Sequence, residues 1–223
     1  MKPNSIGPPT QYLGNKVSYV NLKNVQSAWI FSSSQYIPDA VKDVINTLSQ
    51  EARTLPKHGK YPWNSNYIPE TDTSHDLPPP KYAYYQYLIG VLQWITEIGR
   101  VDITMEKSAI DSIMAMPRQD RLEQLFHILT YLGIQHKSSI VFDPTDPDID
   151  ESRFVRENCL ASTYSEFKEE LPTNAPQPKG IGFTMRAFID SDHAGELTTH
   201  QSQTGFSIFI DSAPIYWFSK RQT

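Results

Sequence analysis

The chain has 223 residues, and its 20 Lys and Arg against 25 Asp and Glu give a formal net charge of −5. This balance excludes a strongly basic protein that binds nucleic acid by charge alone, and a hydrophobic content of 39% excludes a disordered tail. Cys159 is the single cysteine, which excludes an intrachain disulfide and a zinc site built from several cysteines.

The sequence carries no targeting or membrane signal. No apolar run approaches the roughly 18 residues of a membrane span, and the amino terminus lacks the apolar core of a signal peptide. We therefore expect a soluble intracellular protein, cytoplasmic or nuclear, with no membrane partner.

The first part of the chain predicts a β-hairpin followed by a helix. QYLGNKVSYV and SAWIFS, within residues 11–32, have the composition of two short strands around a polar stretch. Val41, Val44 and Leu48 then recur at helical spacing, which predicts a helix over about residues 35–51. Residues 54–80 hold six prolines and no sustained period, so they form a loop that is either functional or a tether.

Three helical patterns follow the loop and predict a cluster of helices. After them, residues 143–180 are acidic and rich in proline, as in a solvated linker. The last part contains three β-rich stretches separated by turns, which predict a meander of three strands. The fold class is therefore α+β, with these divisions: a hairpin in 1–33, a helix in 34–53, a loop in 54–80, a helical cluster in 81–142, a linker in 143–180 and strands in 181–223.

A pair of aspartates lies at the end of the first of these late strands. Asp190 and Asp192 are two residues apart, and carboxylates at a strand end can hold Mg²⁺. A site that cleaves phosphodiesters with two metal ions needs further carboxylates, and a solvated turn is the alternative interpretation.

Two further surfaces are open to a nucleic-acid interpretation. The first is an aromatic run: Tyr82, Tyr84, Tyr85, Tyr87 and Trp94. Its rings could stack bases. Alternatively the run belongs to the core, with Tyr84, Leu88 and Ile95 on one buried face of a helix. The second is a set of basic residues that are scattered in the sequence and form a nucleic-acid-binding track only if the fold brings them together. They are Lys57, Lys60, Arg118, Arg121, Lys220 and Arg221.

Several blocks in a fixed order resemble one family. They are YQYLIGVLQWITEIGRVDI at residues 85–103, HILTYLGIQ, Phe-Asp-Pro at 142–144, AFIDSDHAGE and APIYWFSKRQT. Over residues 11–223 this order resembles the reverse transcriptase and ribonuclease H part of the copia-type LTR retrotransposon polyprotein. The resemblance implies RNA-directed DNA polymerase and ribonuclease H activity, and a role of the parent polyprotein in DNA integration. The implied partners are an RNA/DNA template–primer duplex and the remainder of the polyprotein.

The resemblance also implies roles for particular residues. Tyr12, Leu13 and Gly14 resemble the aromatic-Leu-Gly element that opens the primer-gripping hairpin, and the helix near residue 35 resembles the start of the thumb. The strands from Met185 onward resemble the first three of a ribonuclease H fold. Asp190 then matches the first catalytic carboxylate, a ligand of Mg²⁺, whereas Asp192 and His193 match variable positions.

The chain also departs from the family pattern. The Tyr-x-Asp-Asp polymerase box is expected before Tyr12, and no adjacent pair of aspartates occurs in this sequence. The helix that carries a catalytic Glu is expected after Gln222, whereas the sequence stops at Thr223. We therefore expect a catalytically incomplete fragment. The alternatives are a small metal-dependent nuclease that uses Asp190, or a non-enzymatic remnant that binds nucleic acid or protein.

Overall fold

The structure is a computed structural model. It describes residues 7–23, 26–111, 117–148, 182–192 and 200–222, together with residues 150, 152, 172 and 174–176. Within these residues no helix has both the length and the apolar character that crossing a membrane requires. Most of the predicted acidic linker, with Cys159, and also His193 lie outside the described residues.

A four-stranded antiparallel sheet contains the predicted hairpin. Its strands lie in the order β1 (Gln11–Tyr12), β2 (Asn15–Asn21), β3 (Ser27–Ser32) and β4 (Ser139–Phe142). The pairing of β2 with β3 confirms the hairpin. The single first strand predicted over QYLGNKVSYV is wrong, because Leu13 and Gly14 have positive φ angles of 48° and 86° and turn the chain between β1 and β2. Such two-residue turns match the natural twist of antiparallel strands.

Four helices follow the periods that the sequence predicts. They are α1 (Tyr36–Gln50), α2 (Pro79–Glu97), α3 (Thr104–Asp111) and α4 (Gln119–Ile134). Apolar residues three or four positions apart place one side of each helix inside, and α1, α2 and α4 build the main core. The core includes Val44, Leu48, Leu88, Leu92, Ile95, Leu125, Leu129 and Leu132. β4 was not expected within the predicted helical division 81–142, and it returns the chain from α4 to the N-terminal sheet.

The proline-rich segment of residues 54–77, here called the strap, packs on α4. It contains one short 3-10 turn, Pro69–Thr71, and is otherwise irregular, as expected of a loop. The tether interpretation is wrong, because Leu77 is buried and Gly59 lies directly against the backbone of α4. A Cβ added at Gly59 would come within 2.8 Å of the Tyr131 nitrogen.

Asp72 holds the strap to α4 through a polar network. Its carboxylate accepts hydrogen bonds from the Ser74 backbone N–H at 2.9 Å and the Tyr67 hydroxyl at 3.2 Å, and it faces Arg121 at 3.9 Å. Burial alone would raise the pKa of Asp72, but the hydrogen bonds and the Arg121 charge outweigh it and lower the pKa. The strap is therefore fixed by a charged carboxylate.

A separate three-stranded sheet forms the C-terminal part. Its strands β5 (Met185–Ser191), β6 (Gln203–Ile210) and β7 (Ala213–Arg221) pair antiparallel in chain order, which confirms the predicted meander. β7 contacts α3 and β4, whereas β5 is the exposed edge strand. Its equivalence to ribonuclease H strands stays a prediction.

The C-terminal end of α2, residues 96–100, is the meeting point of both sheets. Asn15 of β2 donates a hydrogen bond from Nδ2 to the Ile98 carbonyl at 2.7 Å, and Trp217 of β7 donates from Nε1 to the Thr96 carbonyl at 3.1 Å. Gly99 has a φ of 126°, and a Cβ there would lie 3.0 Å from the Ile140 side chain of β4. The block at residues 85–103 thus joins the separate parts of the fold.

Candidate nucleic-acid interface

The turn between β1 and β2 carries the three residues expected to resemble a primer grip. Tyr12 and Leu13 are each 56% exposed at its tip. Gly14 supplies the second positive φ angle, and a Cβ there would lie 4.0 Å from the Tyr36 ring at the start of α1. The fold therefore places this turn at the surface and beside α1.

The outer side of α2 is exposed along its length. Its exposed residues are Ala83, Gln86, Tyr87, Gly90, Trp94 and Glu97, here called the α2 face. They recur at spacings of one, three and four, so they share one side of the helix, opposite Leu88, Leu92 and Ile95. Among the described residues, and apart from the adjoining backbone of α2 itself, no atom lies within 4 Å of the position that a Cβ would take at Gly90. The middle of the face is therefore bare backbone between two exposed aromatic rings.

The aromatic run divides between core and surface differently from the prediction. Tyr85 is fully buried, Tyr84 is only partly buried against the core, and Tyr87 is 54% exposed. The rings of Tyr84 and Tyr87 stack with centroids 6.2 Å apart. Both sequence interpretations thus hold for part of the run, since Tyr85 is core and Tyr87 and Trp94 are available to a partner.

Tyr36 joins the turn to the α2 face. Its ring lies beside Gly14, and its pKa is raised by burial and, to a smaller extent, by the nearby Tyr87. Tyr36 therefore lies beside the turn and in the neighbourhood of Tyr87, although 73 positions separate Gly14 from Tyr87 in the chain.

Positive charge is scarce on this surface. Lys81, at the start of α2, is paired with Glu51 at 3.3 Å. The basic residues proposed as a track are not gathered there. Arg118 and Arg121 bind the strap: Arg118 donates to the Asp72 carbonyl and Arg121 faces the Asp72 carboxylate. The surface therefore offers shape, aromatic rings and amides with little electrostatic attraction.

Asp190 lies in a second place, on β5 of the C-terminal sheet. It is exposed and lines an open cleft of about 370 Å³ between this sheet and the start of α3. The cleft is also lined by Val101, Met105, Asp192, Ser207 and Trp217. One carboxylate oxygen of Asp192 accepts the Gln203 backbone N–H, so this side chain holds the strand end.

The donor set at Asp190 does not fit a pair of Mg²⁺ ions by itself. In the part of the chain that the structure describes, no three His, Cys, Asp or Glu side chains are grouped closely enough to hold a metal ion. Two ions need several carboxylates to fix them. The described residues thus supply at most one part of such a site.

Comparison with known proteins gives one distant relationship. Over 138 residues, 62% of its length, the chain is 24% identical to the Retrovirus-related Pol polyprotein from transposon RE1 of Arabidopsis thaliana. The chain spans 7% of the length of that polyprotein. No protein-family model and no solved structure matches the chain. The similarity supports the origin of this chain in a retrotransposon polyprotein.

Proposed function

We propose that the chain is part of the reverse transcriptase and ribonuclease H region of a copia-type LTR retrotransposon polyprotein, and that the α2 face holds the RNA/DNA template–primer duplex. The observation that carries this proposal is the bare backbone at Gly90 in the middle of an exposed aromatic helix face. The exposed turn at Leu13 and Gly14 lies beside Tyr36 at the start of α1.

The chemistry of the α2 face suits a duplex groove. A glycine between aromatic residues lets the helix backbone approach a partner closely, since no Cβ holds it away. Tyr87 and Trp94 offer flat apolar surfaces with a polar edge, and the Gln86 amide can donate and accept hydrogen bonds. None of these contacts reads a base sequence on its own, which suits an enzyme that copies any template.

Weak binding by the isolated chain is expected. The net charge of −5 opposes contact with phosphates, and non-specific binding typically has a Kd of about 10⁻⁴ to 10⁻⁶ M at physiological salt.

The proposal gives Asp190 the role of the first carboxylate in a ribonuclease H-like site. Its exposed position in an open cleft leaves room for a nucleic-acid strand. Because the described residues offer an incomplete donor set, this chain alone does not cleave RNA. Because the sequence has no adjacent pair of aspartates, it does not polymerise DNA.

Photocrosslinking tests where the duplex lies. Benzoylphenylalanine replaces Trp94 in one variant and Ile45 in another, because Ile45 is an exposed apolar residue of α1, at 45%, outside the α2 face. With a labelled RNA/DNA hybrid at low salt, we expect crosslinks from position 94 at several times the yield from position 45. Equal yields from the two positions would exclude the α2 face as the binding site.

A further inference from the structure

The hydrogen bond between Trp217 and Thr96 joins the two candidate sites. The indole N–H of Trp217 donates to the Thr96 carbonyl at 3.1 Å across 121 residues of sequence. Thr96 lies at the end of α2, and its carbonyl also accepts the Gly99 backbone N–H at 3.2 Å. A side chain of the C-terminal sheet is therefore bonded directly to the end of the helix that carries the α2 face.

The path from one site to the other runs through short, regular elements. Trp94 lies two residues before Thr96 on α2, a rise of about 3 Å. Trp217 lies two residues before Ser219 on β7, about 7 Å along the strand. Ser219 pairs with Gly205 and Gly205 with Asp190, so two strand spacings of about 5 Å complete the path.

The C-terminal sheet also offers positive charge close to this path. A cavity of about 500 Å³ beside the Asp190 cleft is lined by Lys107, Ser219, Lys220 and Arg221. Lys107 is paired with Asp111, which also lines this cavity, and Lys220 and Arg221 belong to the end of β7. Lysine and arginine side chains are the usual contacts to a phosphate backbone. A duplex on the α2 face can thus meet a second contact on the sheet.

We propose that Trp217 is a positioning residue, which holds the C-terminal sheet at a fixed distance from α2 so that one duplex contacts both the α2 face and the end of β7 beside Asp190. The inference rests on the proposed function. A hydrogen bond is directional, so the bond from Trp217 to Thr96 restricts the placement of β7 relative to α2. When two contact surfaces are held at a fixed distance, a ligand long enough to reach both of them binds with higher affinity than a ligand that reaches only one.

The test compares hybrids of two lengths. Hairpin stems of about 4 and about 18 hybrid base pairs, close to 14 and 60 Å at about 3.4 Å per pair, are titrated at low salt by fluorescence anisotropy. A longer stem offers more overlapping binding registers, which alone raises its affinity over that of the short stem. For the 223-residue chain, the measured ratio of the two affinities should exceed this statistical ratio by about tenfold. In Trp217→Phe this additional gain should disappear.

A matched variant separates this role from a general loss of packing. Trp63 donates the same kind of bond, from its indole to the Tyr67 carbonyl at 3.1 Å, but within the strap. Trp63→Phe should keep the full length dependence. Replacing Trp217 with benzothienylalanine, which keeps the ring shape and removes the N–H, should repeat the loss seen in Trp217→Phe.

The possible results separate the inference from the proposed function. The positioning role is wrong if Trp217→Phe keeps the additional gain. It is also wrong if the unmodified chain binds the short stem but shows no additional gain with the long stem. In both cases the assignment of the α2 face to the duplex is unaffected. If neither stem binds at low salt, the proposed function itself is wrong.

Discussion

Arg100 and Asp102 form a clamp at the end of α2, in which the Arg100 side chain is buried and the Asp102 side chain is 39% exposed. The guanidinium donates from Nε and Nη2 to the two carboxylate oxygens at 2.8 and 2.7 Å, and the Arg100 side chain is 1% exposed. Nη1 of Arg100 reaches the Gln135 carbonyl at 3.0 Å, and the Tyr131 hydroxyl donates to Asp102 at 2.7 Å. The Arg-x-Asp-Ile turn at the end of the block at residues 85–103 thus ties α2 to α4.

Removing the carboxylate from this clamp should destabilise the fold. In Asp102→Ala the buried guanidinium keeps only the Gln135 carbonyl of these partners, and we expect the free energy of unfolding to fall by about 2 kcal/mol. Glu51→Ala is the control, because its pairs with Lys81 and Arg53 are solvent-exposed, with the Glu51 side chain 43% exposed, and such a pair contributes about 0.2 to 1 kcal/mol. Urea unfolding measures both. Equal losses in the two variants would contradict the clamp.

Two carboxyl groups should give opposite pH dependence. Burial alone would raise the pKa of Asp102, but hydrogen bonds from Arg100 and Tyr131 outweigh it and lower the pKa. Its contribution is therefore full above the unfolded pKa of about 3.9 and is lost as pH falls through the lower folded pKa. The stability advantage of the wild type over Asp102→Asn should shrink below about pH 4.

Asp111 provides the opposite sign in the same experiment. Burial raises its pKa despite the nearby Lys107, so the folded state binds the proton more tightly than the unfolded state. From about pH 3.9 up to this raised pKa, the wild type should lose stability relative to Asp111→Asn. Urea titrations between about pH 3 and pH 7 measure both differences. The same slope for both variants would refute the assignment.

Close packing of the strap on α4 predicts the effect of a single methyl group. Gly59→Ala would place a Cβ 2.8 Å from the Tyr131 backbone nitrogen, which cannot move without displacing α4. We expect the strap to lift and trypsin to cut at Lys57 and Lys60 several times faster. Gly90→Ala, which adds its methyl group to open space, should leave the cleavage pattern unchanged. Rapid cleavage of the wild type at both lysines would instead favour a tether.

The incomplete site at Asp190 predicts inactivity without loss of fold. With Mg²⁺ or Mn²⁺, the 223-residue chain should leave the RNA strand of a hybrid intact. Asp190→Asn should change the free energy of unfolding by less than about 0.5 kcal/mol, because the side chain is exposed. Cleavage by the wild type that Asp190→Asn abolishes would establish the small-nuclease alternative.

Helices and late strands could be predicted because their patterns are local. The positions of Val44 and Leu48, or of Leu125 and Leu129, fix a buried side within one or two turns. Contacts between distant parts have no such pattern. The strap reaches α4 through hydrogen bonds such as that of Arg118 to the Asp72 carbonyl, 46 residues apart, and β4 pairs with β3 across the whole helical cluster.

The α2 face could be predicted only in part. α2 is apolar around most of its circumference, so spacing alone does not distinguish buried Tyr85 from exposed Tyr87. Gly90 in a helix interior is the available signal, because such a glycine costs stability and often marks a close approach. The link from the turn through Tyr36 to Tyr87 depends on tertiary packing and has no counterpart in the local sequence.

Substitution of Gly90 tests the binding face most directly, because it separates stability from binding. Gly90→Leu adds a good helix former and should raise the free energy of unfolding by about 0.5 to 1 kcal/mol. The same side chain blocks the bare backbone, so the affinity for an RNA/DNA hybrid, measured by anisotropy at low salt, should fall about tenfold or more, equivalent to about 1.4 kcal/mol. Gly133→Ala in α4, whose added Cβ would lie 3.4 Å from Val41, is the control and should leave binding unchanged. A more stable Gly90→Leu variant that binds the hybrid as tightly as the wild type would contradict the assignment of the α2 face to the duplex.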